Sequence, residues 1–219
     1  MTEVIISRDG DIRLALRQKQ PEAKPQTPDP PEKENEPQSP PTHEDDIATT
    51  NEPPQTKPEP DVKVLITASS QILCIASPIF KTMLTGAFRE ASDFAAHKTS
   101  TSSTTSSSHE KFTLDLPEDD PEAFTLLLRI LHYDYASVPE RPTPESLEGL
   151  AFLCDKYQCT HVLRYCGRLW ARDWLDACAV AGAGVGKEGG TVVMGDAARV
   201  LVFAYVADLE REFVDVAWR

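Results

Sequence analysis

Four soft metal ligands, Cys154, Cys159, His161 and Cys166, fall within thirteen positions. Thiolate and imidazole are the donors that a tetrahedral zinc ion takes. Structural zinc sites are usually built from C-x2–4-C pairs on a turn, whereas the spacers here are four, one and four residues across two helical segments. Cysteine is also an ordinary small core residue, and the spacing favours that reading. No metal is expected.

A second pattern with chemical meaning is GVGKEG, which matches G-x-G-x-x-G at Gly184, Gly186 and Gly189. A dinucleotide fingerprint follows a strand and opens a helix inside a βαβ unit, and here a helical pattern precedes it. As a phosphate loop it has Ala181 at the first glycine position and Glu188 where Ser or Thr would hold magnesium. A nucleotide-binding enzyme using this loop is therefore the distant alternative, and no cofactor is expected. Hydrolysis would need paired acids or a nucleophile held by a base. Asp119 and Asp120 adjoin at a helix start, where acids favour the dipole. His43, His97 and His109 lie in polar stretches, and His132 and His161 stand alone. No active site assembles, and no catalytic residue is assigned.

The elements around these residues are informative. Of the formal charge of −13, −8 lies between Gln20 and Asp61, which hold eleven acids against three lysines and twelve of the eighteen prolines. Such a segment cannot bury enough apolar surface to offset its ordering entropy, so 18–61 reads as a disordered insert. An acidic balance without clustered Lys and Arg argues against nucleic acid. Five scattered cysteines point to a reducing compartment, nucleus or cytoplasm. The N-terminus lacks a signal-type apolar region, and no apolar run spans a bilayer.

Val4 to Leu16 reads as a hairpin, with Asp9-Gly10 as a tight turn between alternating strands. A lone hairpin is marginal, so it must join a sheet with strands near 62–66 and 112–116. After the first of these, Ser69 or Ser70 can cap a short helix. Ser77-Pro78 then starts another, which Gly86 would end in a left-handed conformation. Residues 92–110, with a run of Ser and Thr, read as a flexible insert or as a phosphorylation cluster. Asp120-Pro121 opens a helix with Phe124, Leu127, Leu128 and Leu131 on one face, and Thr143-Pro144 another with Leu147, Leu150, Ala151 and Cys154. A further helix runs from about Thr160 towards Asp176, with Leu163, Cys166, Trp170 and Trp174 on its buried side. A last one from near Asp196 carries Val200, Leu201, Ala204 and Phe213. Early strands and late helices favour an α+β fold, a small mixed sheet packed on a cluster of helices. The expected divisions are 1–17, 18–61, a core over 62–176, a glycine-rich loop over 177–195 and a helix over 196–219.

The segment ITASSQILCIASPIFKTMLTGAFREAS resembles the core of a BTB/POZ domain, and LDLPEDDPEAFTLLLRILHY resembles its following strand and helix. LAFLCDKYQC and the opening RDGDIRLAL are similar to fungal members. The resemblance implies a non-catalytic protein–protein interaction module that dimerises or serves as a scaffold. The alternative it carries is a substrate adaptor on a cullin-based ubiquitin ligase. In adaptors a hydrophobic-x-Glu motif contacts the cullin, and Phe88-Arg89-Glu90 is the matching stretch. Phe88 and Glu90 are thus the candidate partner-binding residues. The other reading has Phe88 closing the core and Glu90 merely solvated. Dimeric animal members carry a helix before the core, whereas this chain begins on a strand, and the Ser/Thr run adjoins the proposed contact.

Overall fold

Leu65, Ile66 and Thr67 are buried in succession, so their strand is covered on both faces. That is why Leu65 breaks the alternation expected of a half-buried strand. In this computed structural model, which describes residues 2–18, 62–102, 111–183 and 194–218, the strand is the second in a four-stranded mixed sheet. The strands are β1 (Thr2–Ile5), β2 (Ile12–Gln18), β3 (Val62–Ala68) and β4 (Phe112–Asp115), in the spatial order β1-β3-β2-β4. β3 runs parallel to β1 and antiparallel to β2, and β2 runs parallel to β4. The register sets Leu14 beside both Ile66 and Leu114, and these three form a buried row.

The first two strands are both in the sheet, but they do not make the expected hairpin, because β3 lies between them. The Ser7–Gly10 turn, closed by the Gly10 N–H on the Ser7 carbonyl at 3.1 Å, carries the chain past the end of β3 instead. Gly10 is needed for proximity there: a Cβ would stand 2.5 Å from the Ala68 carbonyl oxygen. Its φ is not positive.

Helices α1 (Ser70–Ala76) and α2 (Pro78–Thr85) follow β3. Ser77 accepts the Phe80 N–H as an N-cap, with Pro78 at the first helical position. Ser69 makes no such cap. The start of α1 is held from 59 residues away, by Asp11, which takes the Ser70 N–H at 2.8 Å and the Ser70 hydroxyl at 2.7 Å. Gly86 ends α2 in an extended conformation, not the left-handed one, and what requires glycine is the Thr82 carbonyl that would strike a Cβ. Next comes α3 (Arg89–Ser102), so the expected flexible insert is helical over residues 92–102. Ala91 and Phe94 are buried and anchor it, Phe94 against the Phe112 ring of β4 at 5.2 Å.

Asp120 and Thr143 cap α4 (Pro121–Leu131) and α5 (Pro144–Lys156) with their side chains, each followed by proline. The centre of the core lies between them: Tyr157 stacks on Phe80 at 4.3 Å and meets Phe124 edge-on at 5.6 Å. α6 (Leu163–Ala183) continues past Asp176. The expected last helix is two, α7 (Met194–Val206) and α8 (Glu210–Ala217), parted at Asp208, whose φ is 55°. α7 packs along α5, where Arg199 reaches Glu145 and Glu148 at 3.0 and 3.2 Å.

Candidate functional site

The surface between α1 and the end of α4 is an apolar concavity. Ile72, Ile75 and Ala76 form one wall, and Ile130, Leu131, Tyr133 and Tyr135 form the other. His161 and Val162 complete a groove of ≈420 Å³. Its floor belongs to the core, since Ile130 and Leu131 are buried. Its rim does not: Ile75 and Tyr133 are each 78% exposed and Tyr135 is 56% exposed. Tyr133 sits at φ 60° and meets the Tyr135 ring at 6.1 Å. A bulky side chain in the left-handed region is unusual, and here it holds the Tyr133 ring out over the groove.

His132 holds the two walls together. Its Nε2 accepts the Ser69 N–H at 3.0 Å, and its Nδ1 lies 2.8 Å from the Leu128 carbonyl, to which it donates. Accepting at Nε2 requires the neutral ring, and burial lowers its pKa below the usual value.

Phe88 and Glu90 lie where α2 passes into α3. Phe88 is 55% exposed, so it does not close the core, and Glu90 is exposed in the first turn of α3. Between them, Arg89 pairs with Asp93 at 3.6 Å. The aromatic and the carboxylate are two residues apart and both face solvent.

The residues weighed for other chemistry are placed differently. Cys154 and Cys159 are fully buried at the end of α5 and unbridged, with the Cys154 thiol donating a hydrogen bond towards the Cys159 sulfur. The bond to Cys159 and burial push the Cys154 thiol well up. Cys166 is half-buried, and His161 lies exposed at the groove. Among the described residues no group of three or more His, Cys, Asp or Glu is arranged to hold a metal ion. Gly184, Gly186 and Gly189 lie outside the described residues. Asp120 caps α4 as expected, but Asp119 is buried and takes Lys156 Nζ at 2.6 Å and the Tyr157 hydroxyl at 2.5 Å. Burial, and then that carboxylate, push the Tyr157 hydroxyl well up. Asp119 thus ties the start of α4 to the end of α5.

The groove went unseen in the sequence reading because Tyr133 and Tyr135 fall after the helical periodicity ends. The available signal was two aromatics in an otherwise polar connection, HYDYASVPERP.

A small mixed sheet under a cluster of helices, with apolar rims left open, is the build of a protein–protein interaction module. The family model of the BTB/POZ domain matches residues 61–172, just over half of the chain, and the chain belongs to that family. Its members mediate protein–protein interaction and dimerisation and are generally non-enzymatic. Comparison with curated proteins returns no match. No described helix is long and apolar enough to cross a membrane.

Proposed function

We propose that this chain is an oligomerisation or scaffold domain whose self-association face is the groove between α1 and the end of α4. The observation that carries this is Tyr133, strained at φ 60° and 78% exposed beside an equally exposed Ile75. Left in water, the rim exposes apolar area at no gain, whereas covering it stabilises at about 25 cal/mol per Å². The opening strands support the likeness to fungal members: β1 and β2, joined through Asp9-Gly10, both enter the sheet beside β3. Cys154 and Cys159, in contact yet unbridged, support a reducing compartment, nucleus or cytoplasm. Size-exclusion chromatography with light scattering over a concentration range tests the reading. The chain should be dimeric, and Ile75→Asp with Tyr133→Ser should make it monomeric at unchanged secondary structure. A wild-type monomer at every concentration, or a variant that remains dimeric, rejects it.

The adaptor reading rests on a different observation, the exposure of Phe88 beside Glu90. It calls for binding to a cullin scaffold that is lost in Phe88→Ala and Glu90→Lys. Unchanged binding in the variants removes the contact, and absence of binding in the wild type removes the role.

A further inference from the structure

Where α6 meets the start of α8, three arginines, Arg164, Arg168 and Arg172, line one cleft together with Asp208, Glu210 and Glu212. Arg164, Arg168 and Arg172 recur every four residues, so they form one stripe with successive members about 6 Å apart along the helix axis. Arg211 of α8 opens onto the same cleft, of ≈390 Å³. Of the four, only Arg172 makes an ion pair among the described residues, with buried Glu212 at 3.4 Å. The chain has 35 acidic residues against 22 basic ones, so carboxylates are in excess. Arg13, Arg89, Arg141 and Arg199 each reach an Asp or Glu, whereas Arg8, Arg17 and Arg129 make no ion pair among the described residues but stand apart from one another in the sequence. Arg164, Arg168 and Arg211 are instead gathered unpaired on the surface of an acidic protein. Asp208 and Glu210, also without an ion pair, line the cleft with them. Next to the stripe on α6, Tyr165 is 86% exposed and Leu169 59% exposed.

We propose that this cleft docks an extended acidic segment of another protein, on a surface separate from the α1–α4 groove. Alternate side chains of an extended chain point the same way at about 6.6 Å spacing, so carboxylates at every second position match the arginine stripe. Guanidinium forks take carboxylates in a paired geometry that lysine cannot reproduce. Asp208 and Glu210 are placed to accept N–H groups of the segment, and Tyr165 and Leu169 add apolar area along one flank. Tyrosine and arginine are the residue types that dominate interface energetics. A nucleic-acid strand fits less well, because its phosphates call for a longer basic track than this cleft provides.

The test is fluorescence anisotropy with the full chain and a labelled peptide of alternating Glu and Val. A Lys-for-Glu peptide and a single-stranded oligonucleotide serve as comparisons. The acidic peptide should bind, more weakly as salt rises, and Arg164→Glu with Arg168→Glu should weaken it by roughly tenfold or more. Both side chains are exposed, so the variant should keep its melting temperature, which is measured alongside. No binding of the acidic peptide overturns the proposal, as does equal binding by the variant or tighter binding of the oligonucleotide through the same arginines.

Discussion

The ends of α4 and α5 use one backbone device for opposite purposes. At α4 the Asp134 N–H bonds the Arg129 carbonyl at 2.9 Å and the Tyr133 N–H bonds Ile130 at 3.2 Å. At α5 the Cys159 N–H bonds Cys154 at 2.8 Å and the Gln158 N–H bonds Asp155 at 3.0 Å. Both are Schellman closures, which place one residue in the left-handed region, here Tyr133 at φ 60° and Gln158 at φ 52°. At α5 the aromatic comes one position before the left-handed residue and turns inward: Tyr157 is 1% exposed and ringed by Phe80, Phe124 and Asp119. At α4 the aromatic occupies the left-handed position itself and turns outward. One tyrosine at a helix end is thus core and the other is rim, and a shift of one position along the motif decides which.

If α5 ends in core and α4 ends in an interface, substitutions should separate stability from association. The largest effect belongs to the core side. Phe80→Ala removes the ring stacked on Tyr157 and should cost about 3–5 kcal/mol in chemical denaturation, with a cavity left behind. Asp119→Ala strands the buried Tyr157 hydroxyl and frees Lys156, with an expected loss of about 2–3 kcal/mol. Milder and opposite in sign, Tyr133→Gly and Gln158→Gly each relieve a left-handed residue and should stabilise by about 1 kcal/mol. The two then part company: Tyr133→Gly should also weaken self-association, while Gln158→Gly should leave it unchanged. Equal effects of both on the oligomeric state would erase the distinction between the two ends.

The smallest effect is on pH dependence. Because the folded-state pKa of His132 lies below the usual 6.5, the unfolded chain binds the proton more readily. Its contribution is present in full above pH 6.5 and is lost as pH falls through the lowered value. Protonation of Nε2 would also break the Ser69 N–H bond between α1 and the end of α4. Melting temperature should therefore decline on acidification below pH 6.5, and His132→Gln should flatten that part of the profile. A profile identical in the variant would show that this histidine does not report on the joint between the walls.

Much of the fold was legible because local chemistry agreed with it. Ser77-Pro78, Asp120-Pro121 and Thr143-Pro144 each start a helix, since a capping oxygen and a preset φ act within four residues whatever surrounds them. The buried faces of α4 and α5 followed from their spacing for the same reason. What failed was non-local. The Asp9-Gly10 pair suggested a hairpin, but β3, far along the chain, pairs with β1 on one side and with β2 on the other. The polar run after Glu90 hid a helix because two residues, Ala91 and Phe94, suffice to anchor it. Of the candidate site, Phe88 and Glu90 could be named from their motif, but the exposure of Phe88 could not. The groove lining was invisible, since Ile75 and Tyr133 are brought together only when α1 packs against α4.

The amino-acid order by itself determined the helix starts, the apolar faces, the acidic proline-rich segment and the membership of the BTB/POZ family, all of which depend on neighbours close in the chain. Only the tertiary structure decided strand order, the capping of α1 by a distant Asp11, and which aromatics are core and which are rim. Those outcomes depend on competition between surfaces far apart in sequence, where the arrangement that buries the most apolar area and leaves the fewest polar groups unpaired prevails.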